Sequence, residues 1–347
     1  MKKLSFRTIG VLLVLVMVLV TAGCGGGGGG GGGGATTDDG YETFIVRIGM
    51  VTASDHPSTV SAHMFSDMMY ERSNGRLIVQ VYSDGALGGD RQLIESAALG
   101  ILEIAMVGEA GMSNVVPEFG VITLPYLFDS YEAAMAALHG QLGAHLEELA
   151  TAQNLHVLGW GGAGFRNLST TSREVRTPAD LSGLMIRTQE IPMHIDLWRA
   201  LGANPTPMAF TELFMGLQQG TVDGQENPIV IFQTTGFHEV QRYFILTEHV
   251  FSCAPISINI PFLNSLPADL RQLIIDGGRE WAEIQRQLIL DNEANSLQII
   301  KDAGMVVIEL TPAEKQAFID AALTIYDSIY EEFGRELVEL ARSYNQR

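Results

Sequence analysis

Ten consecutive glycines, Gly25 to Gly34, set the first limit on what this chain can fold into. A stretch without side chains buries nothing and loses more backbone entropy on ordering than any other sequence. Ala-Thr-Thr-Asp-Asp-Gly follows, so residues 25–43 read as a flexible tether with a root-mean-square reach of roughly 25 Å. A packed body therefore starts near Thr43.

The residues before the tether read as an address. Lys2, Lys3 and Arg7 precede an uncharged apolar run from Ile9 to Ala22. That run is short for a membrane span and fits the core of an export signal. It ends in Val20-Thr21-Ala22-Gly23-Cys24, which resembles a bacterial lipobox. The expectation is a lipoprotein signal peptide over 1–23, with lipidated Cys24 opening a tether over 24–43. An ordinary export signal with a chance cysteine is the alternative. Loss of Lys2, Lys3 and Arg7 would take the net charge from −19 to −22.

Forty acidic residues against 21 basic ones exclude a nucleic-acid binder, which needs a basic face, and charge-driven docking on anionic lipid. Two cysteines, Cys24 and Cys253, exclude a disulfide scaffold and a Cys-rich zinc site. Cys253 would be the one free thiol of the anchored form. With 347 residues, 46% of them apolar, the chain can build roughly two domains.

Strand-like and helical patterns alternate from Thr43 onward. Residues 43–51, 77–82, 102–107, 155–160, 184–187 and 305–310 read as strands. Residues 58–73, 130–152, 191–201, 211–219 and 267–303 read as helices, and Pro312 opens a final helix towards Tyr344. The alternation predicts an α/β fold with parallel strand pairs.

Several catalytic chemistries find no support. Gly159-Trp-Gly-Gly-Ala-Gly164 spells G-x-G-x-x-G after a strand. A dinucleotide site would need a helix to start there, and β-like Phe165 to Ser172 follows instead. The eight histidines show no metal spacing, and His56 and His63 read as parts of a solvated face. No nucleophile elbow or Ser/His/Asp order is present. Paired carboxylates among Glu190, Asp223 and Glu226 are expected by chance in so acidic a chain. No cofactor and no metal are expected.

Two arginines are more informative. Arg187 ends the apolar run Leu184-Met-Ile, and Arg166 follows the glycine-rich crossing. A charge in such surroundings must be paired or serve a ligand. A buried ion pair and a guanidinium fork for a ligand carboxylate both remain open. Two stiff segments, Gly202 to Glu212 and Val222 to Pro228, lead into helix starts, with Thr211 as the expected N-cap. Such loops position ligand groups.

These last segments carry a family resemblance. Ala200-Leu-Gly-Ala-Asn-Pro-Thr-Pro-Met-Ala-Phe-Thr-Glu212 and Leu217-Gln-Gln-Gly-Thr-Val-Asp-Gly-Gln-Glu-Asn-Pro228 resemble the signature of DctP-type solute-binding proteins of tripartite ATP-independent periplasmic (TRAP) transporters. Leu87 to Arg91, Leu124 to Phe128 and His238 to Tyr243 extend the likeness over residues 44–345. The resemblance implies a two-lobe periplasmic-binding-protein-like (type II) α/β fold, with hinge strands and a long helix crossing both lobes. Residues 44–163 plus 253–292 would form lobe 1, and 164–252 plus 293–347 lobe 2.

It also implies site residues. The carboxylate-binding arginine falls on Arg187, a second arginine on Arg166, the binding asparagine on Asn227 and the cleft aromatic on Phe210. An acidic residue of sugar-acid binders falls on Glu109, with Asp90, Trp160 and Glu190 as further cleft candidates. The expected function is a non-enzymatic, extracytoplasmic, lipid-anchored receptor that delivers a small carboxylate to a membrane permease. A sugar acid is favoured over a C4-dicarboxylate. A sensor subunit is the rival within binding proteins, and an NAD-dependent oxidoreductase or a hydrolase the rival among enzymes.

Overall fold

The alternating segments condense onto a single nine-stranded sheet in the structure, a computed structural model that describes residue 40 and residues 42–345. The expected signal peptide, Cys24 and nearly all of the glycine tether lie outside the described residues.

The strands are β1 (Phe44–Gly49), β2 (Leu77–Tyr82), β3 (Ile104–Met106), β4 (Leu155–Thr170), β5 (Met185–Thr188), β6 (Asn204–Pro207), β7 (Gly224–Asn227), β8 (Tyr243–Asn259) and β9 (Val306–Glu309). Their order is β2-β1-β3-β8-β4-β7-β5-β6, with β9 beside β8. β1 pairs in parallel with β2 and β3, and β5 with β6 and β7, each through helical crossovers. In β1, Val46 and Ile48 are fully buried while Ile45 and Arg47 take the outer face, as period-two patterning requires.

β4 and β8 organise the whole. They have 16 and 17 residues and run antiparallel along most of their length. One end of β8, Met106's partner Ile256 onward, pairs with β3, and its other end pairs with β9. The far end of β4 pairs with β7. Each long strand therefore belongs to both lobes. Their register steps at Val157/Gly159, Gly162/Gly164 and Arg166/Leu168, so bulges concentrate at the crossing. Gly164 has φ +97°, a conformation that L side chains rarely adopt. The glycine-rich stretch is thus strand throughout, and no helix opens there to receive a pyrophosphate.

The long helix Ala268–Asp302 has 35 residues and spans roughly 52 Å. Its first half packs Leu270, Ile274 and Trp281 against the core beneath β1–β3. Its second half packs Ile289 and Ile300 against Phe232, Phe237 and Phe244. Midway, the Gln285 amide donates to the Gly162 carbonyl (2.7 Å) and accepts from the Gly162 N–H (2.8 Å). The helix is pinned to the strand crossing at that point.

Four sequence expectations change. The final helix is three helices, Pro312–Leu323, Tyr326–Phe333 and Arg335–Arg342, with Gly334 at φ +77° between the last two. The helix over 130–152 breaks between Tyr131–Leu138 and Gln141–Ala152. Residues 224–227, within the loop-like segment Val222 to Pro228, are the buried strand β7. Ala209, not Thr211, caps the helix Phe210–Gln218. β8 had no counterpart in the sequence reading.

Candidate functional site

Strand ends and helix starts converge on a cleft with about 990 Å³ of empty space, part of it open to solvent. Val51, His56, Asp90 and Gly108 line it from the β1–β3 side. Arg187, Gln189, Glu190, Phe210 and Asn227 line it from the β5–β7 side. Arg166, Ser252 and Cys253, on β4 and β8, form its floor.

The two arginines part company here. Arg166 is buried and fully engaged. Its Nε donates to Glu226 Oε2 (2.5 Å), and its Nη2 donates to Glu226 Oε1 (2.9 Å), the Glu226 carbonyl (2.6 Å) and Asn227 Oδ1 (3.1 Å). Burial alone would raise the Glu226 carboxyl. The Arg166 guanidinium overrides it, with a hydrogen bond from His249 helping, and holds Glu226 well below the usual carboxylate range. The buried-ion-pair alternative is what the geometry shows at Arg166.

Arg187 has no such partner. β5 delivers it to the cleft with Ile186 packed in the core. Its Nε donates to the Met208 carbonyl (2.9 Å), and its Nη1 is buried without a hydrogen-bond partner. Among the described ion pairs none involves Arg187. Burial lowers its pKa to about 10, against the pull of Glu226, and the Arg166 charge lowers it further. It remains cationic at neutral pH.

Phe210 is the first residue of its helix and meets Phe237 edge-on at 6.0 Å, an apolar wall held from behind. Asn227 spends its amide on Arg166 and on Gln225 Oε1 (2.5 Å). Asp90 opens the helix Asp90–Ala98; burial raises its carboxyl, and Arg187 opposes that rise. Glu190 stands exposed at the mouth.

Two sequence candidates are not brought to the cleft. Trp160 points to a second hollow beside Glu147, His156 and Arg286. Its indole N–H donates to Glu147 Oε1 (2.7 Å), and its ring stacks on Phe119. Glu109 is buried behind the floor, where it accepts from Ser252 Oγ (2.9 Å) and the Cys253 N–H (2.9 Å). Burial raises its carboxyl, and Arg166 opposes the shift. It reaches the cleft through the floor residues Ser252 and Cys253.

Lining residues that the sequence reading did not single out include His56, Gln189 and Ser252. His63 is exposed as expected, but His56 is buried at the start of the helix Pro57–Arg72. The available signals were period two from Arg187 to Gln189 and the N-cap position before Pro57. Among the described residues no cluster of His, Cys, Asp and Glu could hold a metal. The site offers one unpaired cation, apolar walls and several hydrogen-bonding groups, a set suited to binding a small anion.

Known proteins share this architecture. Residues 48–333 match the DctP family, described as bacterial extracellular solute-binding protein, family 7. The 2,3-diketo-L-gulonate-binding periplasmic protein of Escherichia coli (strain K12) is 32% identical over 276 residues, 80% of this chain and 84% of that protein. A TRAP periplasmic solute-binding protein from Polaromonas sp. JS666, solved bound to D-erythronate, superposes with a TM-score of 0.83 at 34% identity, covering 87% of this chain and 99% of that one. Another, from Sulfurospirillum deleyianum DSM 6946 with bound succinate, gives 0.84 at 27% identity, covering 86% and 98%. With its two lobes, its long crossing strands and a match along most of its length, the chain belongs to the DctP family of extracellular solute-binding proteins, which are transport receptors and not enzymes.

Proposed function

We propose that this receptor captures a small hydroxylated carboxylic acid, a uronate or aldonate ahead of a C4-dicarboxylate, and delivers it to a TRAP permease. The observation that carries the reading is Arg187: a buried guanidinium in the cleft with Nη1 unpartnered. An isolated buried charge is costly, and a ligand carboxylate received on the guanidinium fork removes that cost. Arg166 cannot play the same part while Glu226 neutralises it. It instead fixes Asn227 and the floor around the ligand. Phe210 supplies an apolar wall, and Asp90 and Glu190 accept from ligand hydroxyls. Glu109 acts through Ser252.

Ligand capture would draw together lobe 1 (44–163 plus 253–292) and lobe 2 (164–252 plus 293–347). Lipid on Cys24 would hold the receptor to the outer face of the membrane through the glycine tether. The relatives that bind 2,3-diketo-L-gulonate and D-erythronate support a hydroxylated ligand, and the succinate-bound one keeps the dicarboxylate as second choice. Calorimetric titration with a panel of aldonates, uronates and C4-dicarboxylates tests the reading. Tightest binding by a hydroxylated monocarboxylate is expected. Tightest binding by succinate would reject the sugar-acid preference, and no binding by any acid would reject the receptor's ligand class.

A further inference from the structure

Three side chains lining the cleft carry a buried polar atom without a hydrogen-bond partner: Arg187 Nη1, Gln189 Oε1 and His56 Nε2. A ligand carboxylate accounts for the first. The third has a definite chemistry of its own.

His56 is 1% exposed and caps the helix Pro57–Arg72, where its Nδ1 accepts the Ser58 backbone N–H at 3.1 Å. A backbone N–H can only donate, so Nδ1 must present its lone pair. In a neutral ring the proton then sits on Nε2. Burial lowers the pKa of His56 to about 3, so the ring is neutral at pH 7. The cap thus locks one tautomer and leaves an N–H donor in the cleft wall with nothing to receive it. Buried donors are rarely left so.

Position narrows what it receives. β1, which leads into His56, and β5, which carries Arg187, lie on opposite sides of the β8–β4 pair. A ligand touching both has its carboxylate at one end and an acceptor towards the other. His56 brings no positive charge, Asp90 lines the same wall, and the cation next to it, Arg91, is already paired with Glu95. A second carboxylate there would lose its hydration for one neutral donor and face an acid. A hydroxyl or carbonyl oxygen matches the donor without that penalty.

Building on the receptor reading above, we infer that His56 is a ligand-binding residue whose Nε2–H donates to an uncharged ligand oxygen remote from the carboxylate. It thereby selects hydroxy- or keto-monocarboxylates over dicarboxylates. Gln189 Oε1, two residues beyond Arg187, accepts from a hydroxyl of the same ligand.

His56→Asn tests this, because asparagine keeps an acceptor for the Ser58 N–H but is too short to present a donor at the Nε2 position. Wild type, His56→Asn and Arg187→Ala are titrated calorimetrically with D-erythronate, D-galactonate, D-glucuronate and succinate, beside ligand-free melting curves. The expected result is about a tenfold or greater loss for the tightest hydroxy acid in His56→Asn, with an unchanged melting curve and less than about threefold change for succinate. Affinity within about threefold of wild type in His56→Asn, while Arg187→Ala loses binding, overturns the His56 contact alone. Wild type binding none of the acids, or Arg187→Ala binding like wild type, overturns the receptor reading and this inference with it. Succinate bound tightest overturns the selectivity. A wild-type measurement stands apart from any folding defect: imidazole ¹⁵N spectra should show the Nε2–H tautomer of His56, with that proton shifting when the tightest acid is added. A proton on Nδ1, or an Nε2–H indifferent to bound ligand, rejects the inference.

Discussion

At the scale of single residues, Arg166 and Arg187 differ in whether a carboxylate has been folded against the guanidinium. Truncating Arg187 removes a buried charge with no ion-pair partner, so the ligand-free protein should keep its melting temperature. The ligand carboxylate would then be buried unpaired, at about 3–5 kcal/mol or roughly two to four decades in Kd. Arg187→Lys keeps the charge without the planar fork and should weaken binding less. Calorimetry beside ligand-free melting checks both, and an Ala variant within about threefold of wild type would refute the role. Arg166→Ala should do the reverse. It strands Glu226 in the core and should cost about 3–5 kcal/mol of stability without any ligand. The same pair predicts a pH profile. The folded pKa of Glu226 is depressed, so its contribution is fully present above the unfolded carboxylate value near about 4.3. It is lost as pH falls below that towards the folded value. Urea melts from pH 7 downward should therefore hold this term until the acid range. Arg187 was legible in sequence because a charge closes an apolar strand. The pairing of Arg166 was not, because Glu226 lies sixty positions away and only the register of β4 against β7 joins them. Trp160 was illegible for a related reason: the bulge between Val157 and Gly159 resets which face of β4 its side chain takes.

At the scale of elements, the glycine-rich half of β4 makes the sharpest predictions, because two of its glycines are required for different reasons. A Cβ on Gly162 would lie within 2.1 Å of Tyr131 Oη, whereas a Cβ on Gly164 would meet nothing within 4 Å. Gly164→Ala should therefore cost only its backbone strain at φ +97°, about 1–3 kcal/mol. Gly162→Ala should cost about 1–3 kcal/mol through the clash. Tyr131 Oη is buried without a partner, so Tyr131→Phe should cost little and should recover part of the Gly162→Ala loss but none of the Gly164→Ala loss. Denaturant melts of the singles and doubles measure this, and equal recovery in both backgrounds would reject the distinction. The elements themselves were unevenly legible. The helix Ala268–Asp302 was read within a residue or two of its ends, because its pattern is long and uninterrupted. β8 was not read, since Glu248 at φ +46°, His249 and Pro255 break its apolar run in sequence while its neighbours β3, β4 and β9 restore the ladder in space. β7 has the composition of a turn, Gly-Gln-Glu-Asn, and becomes a buried strand only because Arg166, Ser169 and their neighbours satisfy its polar groups.

At the scale of the whole molecule, a net charge of −19 opposes every anionic ligand, so capture must rest on a local, partly desolvated cation and on how the body encloses it. Attachment is one molecular property to test: Cys24→Ala should release the protein or stall its processing, and unchanged retention with unchanged processing counts against the anchor. Enclosure is the other. The two walls of the cleft belong to different ends of one sheet and are joined through β4, β8 and the long helix. The loop at Gly85 meets Thr211 across the mouth, where a Cβ on Gly85 would approach Thr211 Cγ2 to 2.6 Å. A ligand gripped by Arg187 on one wall and by the Asp90 side on the other would bind the enclosed arrangement better than an open one. Only that difference in affinity can shift the population. A described body of this size has an expected radius of gyration of about 19 Å when compact. Small-angle scattering should therefore show a smaller radius with saturating ligand than without. The Arg187→Ala protein should keep its ligand-free profile at the same ligand concentration, because it has lost one of the two grips. An identical wild-type profile with and without a ligand of demonstrated affinity would sink closure. A radius that shrinks equally in Arg187→Ala would place the driving contact elsewhere in the cleft.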